Sequence, residues 1–458
     1  MLCEVIFSQH FFFFVRMMDT VLVLIFVLGY VCIAFEHRLR IDKSAIALLM
    51  FGVIWSVYAC CTPGGSSVLV GHLGNTCETL IFLIGAMTIV EIIDSRGGFS
   101  IVTERITTRH KWRLLWVLAV TTFFLSAILD NMTTTIILIM MLRRIVPDSR
   151  DRVLYASVIV IAANSGGAWS PIGDVSTIML WMRGNVTAAK LVLFLFIPCV
   201  VSLLVPVWCL SRRFDRHGVL RAEVVGADAK PLRGAERRFG LLVLVLGVSG
   251  LLFVPIFKSL TGLPPYVGVM ISLGVLWALT ELFCDHTLPD NSKHRVSKLV
   301  KRIDIPVVLF LLGVLMSVAG LQSAGILSSV AHLLDTYVHE VFIISGIVGL
   351  FSSVIDNVSL VAACIGMFPI ADFSEAVANV DPLYALSFVQ DGIFWLLLAY
   401  CAGVGGSMLI IGSAAGVVAM GLEKIDFVWY LRHITPAMLA GYFSGMAMIF
   451  LEWWVCSF

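Results

Sequence analysis

Two aspartate–asparagine pairs in this sequence lie within long apolar segments. Residues 123–135 contain Asp130-Asn131 and residues 349–361 contain Asp356-Asn357, so the pattern Ser-x-x-x-Asp-Asn-x-[Thr/Ser] occurs twice, 226 residues apart. An ionisable side chain at membrane depth is energetically costly and therefore marks a candidate functional site. Two such carboxylates indicate chemistry that involves a cation or a proton.

A second pair of motifs interrupts two further apolar segments. Gly-Gly-Ala-Trp-Ser-Pro-Ile-Gly-Asp spans residues 166–174, and Gly-Gly-Ser-Met-Leu-Ile-Ile-Gly-Ser spans residues 405–413. Glycine adds backbone freedom and proline removes a donor, so neither stretch is expected to be continuous helix. A kink or a close helix contact through small residues is the alternative; two breaks at matching positions favour a binding site. The break residues are Gly166, Gly167, Pro171, Gly173, Gly405, Gly406 and Gly412.

Oxygen-bearing side chains around the two pairs complete a candidate cation site. Carboxylate, hydroxyl and carbonyl oxygens suit a hard cation such as Na⁺ or Li⁺. Dehydration disfavours the charged form of a carboxylate, so one group can exchange a proton for a cation. We expect Na⁺ in the region of Asp130 and Asp356, with Asn131 and Asn357 capping helix starts while the aspartates face the ion. The candidate ligands are Asp130, Asn131, Thr133, Ser352, Asp356, Asn357 and Ser359.

Asp174 is a third candidate carboxylate, because it follows the first break where the other half has Ser413. The alternative is that Asp174 caps the start of a helix over 175–182, and capping is also the alternative for Asp130 and Asp356. Apolar runs of about a dozen residues flank those two aspartates and place them near the middle of the membrane, where an unpaired carboxylate is costly.

His72 and Glu78 flank the third predicted span. Most residues in such positions are interface groups. Histidine titrates near neutral pH, so a pH-sensing role is the second interpretation of this pair.

The composition predicts a helical membrane protein. The 458 residues are 59% hydrophobic and 13% charged, with mean hydropathy +0.99, so the chain could not present a soluble surface. The apolar runs are continuous rather than alternating, which argues against a membrane β-barrel. The eleven cysteines are scattered without a CxxC motif, so we expect no disulfide framework and no metal cluster. The lipid bilayer is the expected partner; neither a cofactor nor nucleic acid is expected.

Ten membrane spans are predicted, and the Asp-Asn segments at 113–142 and 341–369 are predicted to be re-entrant hairpins. The fourth and ninth spans contain the breaks. The spans are 19–35, 44–60, 77–94, 153–182, 190–211, 239–257, 266–284, 305–320, 386–420 and 434–454. The fold class is therefore an all-α polytopic membrane protein with two repeats, each built from three spans, a hairpin, a broken span and a final span.

The distribution of positive charge predicts that the repeats have inverted topology. The loops 36–43, 95–113, 142–152, 212–238, 285–304 and 421–433 hold 27 of the 31 Lys and Arg residues. The positive-inside rule places these loops in the cytoplasm, which leaves five crossings per half and inverts the second half. We therefore expect a multi-pass protein of the inner, cytoplasmic membrane.

The same pattern sets the expected organisation along the chain. The first inverted repeat covers 17–211 and the second covers 239–458, joined by a polar cytoplasmic linker at 212–238. Residues 1–16 are a leader, an extra helix or an extension of the first span. Segments 98–109 and 322–337 precede the two hairpins and are expected to lie along the membrane interface.

Four segments resemble the NhaD-type sodium/proton antiporters of the ion transporter superfamily. They are Phe-Leu-Ile-Gly-Ala-Met-Thr-Ile-Val-Glu-Ile-Ile-Asp at 82–94, Asp-Asn-Met-Thr-Thr-Thr at 130–135, the 166–174 motif, and Asp-Asn-Val-Ser at 356–359. The resemblance implies the inverted-repeat fold, a homodimer and elevator-like movement. It assigns cation or proton handling to Asp130, Asn131, Asn164, Asp174, Ser176, Ser352, Asp356 and Asn357, and more weakly to His72 and Glu78.

The leading hypothesis for function is exchange of Na⁺ or Li⁺ for H⁺ by alternating access. One alternative is an ion-coupled symporter of an organic or inorganic anion such as a dicarboxylate or arsenite, but two carboxylates at the hairpin tips would repel such an anion. The other alternative is an intramembrane aspartyl enzyme, in which Asp130 and Asp356 would meet.

The predicted topology can be tested by cysteine labelling from each side of the membrane. Single cysteines near Arg221 are expected to react with an impermeant reagent only from the cytoplasm, and those near Ser374 only from outside. Opposite sidedness at either position would contradict the inverted arrangement.

Overall fold

Every regular element in the computed structural model is a helix, within the residues that it describes: 2–34, 39–103, 108, 110–212, 234–287, 296–379 and 381–456. The helices are α1 Leu2–Ala34, α2 Lys43–Cys61, α3 Gly65–Ser95, α4 Gly98–Thr103, α5 Lys111–Ser126, α6 Asn131–Ile145, α7 Ser149–Gly167, α8 Val175–Met182, α9 Ala188–Ser211, α10 Gly234–Thr261, α11 Pro265–Thr287, α12 Val296–Leu299, α13 Ile305–Ser323, α14 Ile326–Tyr337, α15 Val341–Phe351, α16 Asn357–Met367, α17 Phe373–Val377, α18 Pro382–Leu386, α19 Ile393–Gly405, α20 Ala414–Glu423, α21 Phe427–His433 and α22 Thr435–Cys456.

Seven of the described helices are long and apolar enough to cross a membrane: α2, α3, α9, α10, α11, α13 and α22. A helix rises 1.5 Å per residue, so about 20 apolar residues cover the ~30 Å of hydrocarbon. The prediction of an all-α polytopic membrane protein is confirmed. Residues from Leu2 onward belong to α1, so the segment before the first predicted span is continuous with that span.

The helices begin and end close to the predicted turns and breaks. Residues 127–130 separate α5 from α6, and residues 352–356 separate α15 from α16. Residues 168–174 separate α7 from α8, and residues 406–413 separate α19 from α20. Of the predicted linker, 213–233 lie outside the described residues, as do 104–107 and 109 of the first interface segment.

The first of two compact units is formed by Met1–Ile81, Asp304–Glu340 and Val358–Pro369. Its core packs Trp55 and Tyr58 of α2 against Met316 and Ala319 of α13. The Trp55 indole N–H donates to the Met316 carbonyl at 2.7 Å, which satisfies a buried donor.

The second unit is formed by Phe82–Ile303, Val341–Asn357 and Ile370–Phe458. Each unit draws on both halves of the sequence, so neither coincides with one predicted repeat. Every residue of α19 is buried, as are residues 154–167 of α7. A helix that is apolar on all sides is enclosed by protein. Both helices that lead into a break are therefore covered, as an interrupted backbone requires.

The glycines at the breaks permit close contact between helices. A Cβ atom on Gly166 would lie 2.2 Å from the Phe123 carbonyl oxygen, and one on Gly405 would lie 2.3 Å from the Gly349 carbonyl oxygen. The residues with positive φ include none of the break glycines. Both breaks are present as predicted, and at these glycines it is lack of space, rather than a left-handed backbone, that excludes a side chain.

This contact predicts opposite effects for two glycine-to-alanine substitutions. Gly166→Ala should lower the unfolding temperature, because overpacking a closed contact costs about 1–3 kcal/mol. Gly274→Ala is the matched control: this helical glycine has no atom within 4 Å of its Cβ position, so alanine should leave stability unchanged or raise it by up to about 1 kcal/mol. Thermal unfolding of the detergent-purified variants, followed by tryptophan fluorescence, measures both; equal unfolding temperatures would contradict the packing argument.

Candidate functional site

In the first Asp-Asn pair, Asp130 caps a helix and Asn131 binds another side chain. The half-buried Asp130 carboxylate caps α6 and accepts a hydrogen bond from the Thr133 backbone N–H at 2.8 Å. The buried Asn131 side chain donates to the Asn164 side-chain oxygen at 3.0 Å. The expectation that Asn131 would cap the helix was wrong at this tip. Asp130 occupies the N-cap position, where a carboxylate is a preferred acceptor.

Asn164 joins both broken spans to this tip. Its side chain is fully buried near the end of α7, and its amide nitrogen donates to the hydroxyls of Ser407 and Ser413, each at 2.8 Å. The sequence analysis identifies Ser413 only as the counterpart of Asp174 and does not identify Ser407. The sequence does contain a signal for Ser413, because serine is a preferred helix cap. In the structure its hydroxyl accepts from the Gly416 N–H at 3.2 Å at the start of α20.

Asp174 lies between the first break and the second Asp-Asn pair. The residue is 1% exposed. One carboxylate oxygen accepts from the Ser176 N–H at 3.3 Å, and the other accepts from the Asn357 side chain at 2.7 Å. Asp174 is therefore both a helix cap and a partner of the second tip. Its described hydrogen-bond donors are neutral, and Asp130 and Asp356 place two further negative charges close enough to act on it.

Two buried hydroxyls in this part of the chain make no hydrogen bond of regular geometry. They belong to Ser176, two residues after Asp174, and to Thr134 on α6. A buried polar group without a partner is uncommon and calls for an explanation such as an absent ion or water. Both hydroxyls can donate a lone pair to a cation.

Equivalent serines support the two helices that enter the breaks. The Ser126 hydroxyl donates to the Ala163 carbonyl at 2.6 Å, and the Ser352 hydroxyl donates to the Ala402 carbonyl at 2.7 Å. Ser352, a predicted cation ligand, therefore uses its proton to support the backbone and retains oxygen lone pairs.

The two halves are not equivalent at the site. Counted from the paired glycines, Asn164 corresponds to Gly403 and Asp174 corresponds to Ser413. Because residue 403 is glycine, the second half has no side-chain amide at this position. A Cβ atom there would lie 3.8 Å from the Asp174 carboxylate. The first half supplies a carboxylate and an amide where the second supplies a hydroxyl and a hydrogen atom.

The remaining predicted residues have other surroundings. Ser359 is buried on α16 and belongs to the first unit, as do His72 and Glu78 on α3. The His72 Nε2 atom lies 3.1 Å from the Ser323 hydroxyl, and its ring centroid lies 6.0 Å from that of Trp55. Thr133 contributes its backbone N–H to Asp130.

Within the described part of the chain, no group of three or more His, Cys, Asp or Glu side chains is arranged to hold a metal ion. A cation at this site would thus rely on hydroxyl, amide and main-chain oxygens together with a carboxylate, which is the ligand type that a hard monovalent ion accepts.

The sequence is similar to known transporters over most of its length. The family model described as "Citrate transporter" matches residues 30–389. "Sodium/proton antiporter 2" of Arabidopsis thaliana is 43% identical over 427 residues, which cover 92% of this chain and 97% of that protein. "Sodium/proton antiporter 1" of the same plant is 44% identical over 94% of this chain and 72% of its own length. "Na(+)/H(+) antiporter NhaD" of Vibrio cholerae is 31% identical over 93% of this chain and 90% of that protein.

Proposed function

This chain belongs to the citrate transporter family and, within it, to the NhaD-type sodium/proton antiporters, and on that premise we propose that it exchanges Na⁺ or Li⁺ for H⁺ across a membrane by alternating access. It is a transporter and not an enzyme. Na⁺ and H⁺ are its cargo.

The buried carboxylate of Asp174 carries the proposal. A charge removed from water is very costly unless it is paired, and the described donors to Asp174 are the neutral Asn357 amide and Ser176 N–H. The group reaches low energy in two ways: it binds a proton, or it shares its charge with a cation. A site with these two states and one carboxylate is the minimum that cation/proton exchange requires.

Asp130 and Asp356 add two further carboxylates to the site. Both are less enclosed than Asp174, which is almost completely buried. We assign the cation to the region between the two tips. We propose as its neutral ligands the hydroxyl of Ser176, two residues after Asp174, and that of Thr134, in the first turn of α6.

Citrate or another multivalent anion is the competing cargo, because the matching family model carries the name of a citrate transporter. The charges at the site favour a cation. Asp130, Asp174 and Asp356 would all repel an anion, and Arg143 and Arg152, at the far ends of α6 and α7, are paired with Glu423.

The broader organisation remains part of the proposal. The inverted repeats, a homodimer, elevator-like movement and residence in the cytoplasmic membrane are supported by the resemblance and by the positive-inside charge distribution. His72 and Glu78 are proposed as pH-sensing residues.

Direct exchange can be measured in proteoliposomes that contain a pH-sensitive dye. External Na⁺ or Li⁺ should make the interior alkaline, whereas K⁺, succinate and citrate should not. Asp130→Asn, Asp174→Asn and Asp356→Asn should each lower the Na⁺-driven rate at least about tenfold, ~1.4 kcal/mol in activation terms, because the exchangeable charge is lost while a capping oxygen remains. A response to citrate but not to Na⁺, or near-normal rates in all three variants, would refute the assignment.

Competition between the two ions is a separate consequence. If Na⁺ and H⁺ use the same carboxylates, each unit of acidification below the pKa of the group should raise the apparent Kd for Na⁺ about tenfold, equivalent to ~1.4 kcal/mol. The initial exchange rate against Na⁺ concentration at several pH values gives this dependence. An apparent affinity that stays constant from about pH 6 to about pH 9 would show that the two ions bind at separate sites.

A further inference from the structure

Glu423 is the last residue of α20 and is almost completely enclosed, with its side chain 2% exposed. One carboxylate oxygen accepts from the Arg143 Nε–H at 2.7 Å, and the other accepts from the Arg152 Nε–H at 2.9 Å. One buried carboxylate thus binds arginines from two other helices, because Arg143 lies on α6 and Arg152 on α7. We call these three residues the arginine–glutamate triad.

Main-chain carbonyls complete the hydrogen bonding of both arginines. Arg143 donates through Nη2 to the Leu422 carbonyl at the end of α20. Arg152 donates through Nη1 to the carbonyls of Val146 and Pro147, at 3.1 and 2.7 Å, in the connection between α6 and α7. A cation at a helix C-terminus also interacts favourably with the helix dipole. The triad therefore joins α6, α7, their connection and α20.

The opposite ends of the same helices form the cation site. Ser413 caps the start of α20 and binds Asn164, and α6 starts at Asn131, which binds the same Asn164. The ten residues of α20 span about 15 Å at 1.5 Å per residue, so Glu423 cannot touch an ion at Ser413. A short helix held at both ends cannot tilt, and this fixes the position of its capping hydroxyl.

We propose that Glu423, held by Arg143 and Arg152, is a positioning residue of the cation site and that the triad remains closed throughout the transport cycle. The inference rests on the proposed exchange of Na⁺ for H⁺ and adds residues that lie outside the ligand set. The triad keeps Ser413 and Asn131 within hydrogen-bond distance of Asn164. Loss of the triad therefore weakens the binding of Na⁺ more than it lowers the maximal rate.

The chemistry of the triad favours a permanent clamp over a gate that opens in each cycle. Both carboxylate oxygens are occupied, and the arginines use further donors on main-chain carbonyls. Opening the triad would leave a buried carboxylate without a counter-charge, which is strongly unfavourable.

A second set of hydrogen bonds joins the two broken spans at the ends away from the triad. The Asp391 carboxylate accepts from the Thr187 N–H at 2.6 Å and from the Thr187 hydroxyl at 2.9 Å. Thr187 lies shortly after α8 and Asp391 shortly before α19. The spans are thus joined at one end by Asp391, at the breaks by Asn164 and at the other end by Glu423, as expected if they move as one body.

The first experiment compares Glu423→Gln with a matched ion-pair variant in proteoliposomes. Asp151 binds Lys111 at 2.6 Å on the same helix as Arg152 but makes no described contact with α20, so Asp151→Asn is the control. Glu423→Gln should raise the half-saturating Na⁺ concentration at least about tenfold while the maximal rate stays within about twofold. Asp151→Asn should leave both values within about twofold, because the Lys111–Asp151 pair does not hold α20.

An unchanged half-saturating concentration in Glu423→Gln, or an equal change in the control, would overturn the proposal. A fall in maximal rate alone would overturn it as well, because that is the effect of a purely structural loss. Wild-type protein in the same assay tests the proposed function independently. If the wild-type protein shows no Na⁺-driven proton movement, the proposed function is refuted. The role of the triad is then tested by the increase in unfolding temperature that Na⁺ gives each variant.

Cross-linking tests whether the triad opens during transport, independently of the apparent affinity for Na⁺. Arg143→Cys and Glu423→Cys are combined in a background without the native cysteines, and a short bifunctional thiol reagent joins the two positions. Exchange that continues at the rate of the unlinked double variant supports a triad that stays closed. Exchange that stops on cross-linking and returns when a reducible linker is cleaved shows a gate and overturns the proposal.

Discussion

A helix that ends inside an apolar interior leaves up to four N–H groups or four C=O groups without partners, and most of this structure follows from that constraint. The chain interrupts its backbone after α7 and α19 and starts new helices at α6, α8 and α20. Each of these starts has an oxygen from Asp130, Asp174 or Ser413 on its free N–H groups. Ser126 and Ser352 supply the complementary donors to main-chain carbonyls. The polar residues of the site are therefore required by the backbone before any ion is considered.

The same requirement explains why capping and ion binding are not separate interpretations of Asp174. A carboxylate has two oxygens and several lone pairs, so it can cap a helix and still interact with a second group. One oxygen of Asp174 accepts from the Ser176 N–H, and the other faces Asn357. Because the cap fixes the carboxylate, the group meets an ion with little loss of side-chain freedom.

The sequence predicted the features of the fold that depend on neighbouring residues. Apolar runs, the glycine-rich breaks and the Asp-Asn turns act locally, so the turns and the interruptions after α7 and α19 could be placed within a few residues. Two spans begin well before their predicted starts at 19 and 77, because α1 begins at Leu2 and α3 at Gly65. Contacts between distant segments could not be predicted: Asn164 meets Ser407 and Ser413 across more than 240 residues, and nothing near Glu423 indicates its two arginines. The exchange of roles between Asp130 and Asn131 depends on which residue stands at the helix start, a difference of one position that a motif does not resolve.

The glycine opposite Asn164 bears on how such a transporter would behave from its two sides. Under the proposed inverted topology, identical halves would give the inward-facing and outward-facing states the same environment for the ion. Gly403 removes that equality, because an amide supports the site in one half and a hydrogen atom takes its place in the other. Thermodynamics fixes only the final balance of the two gradients, so the half-saturating concentrations on the two faces are free to differ. A glycine at this one position can thereby give a reversible exchanger different apparent affinities on its two faces. Transport is then saturated by the ion on one face of the membrane while its rate still depends on the ion concentration on the other.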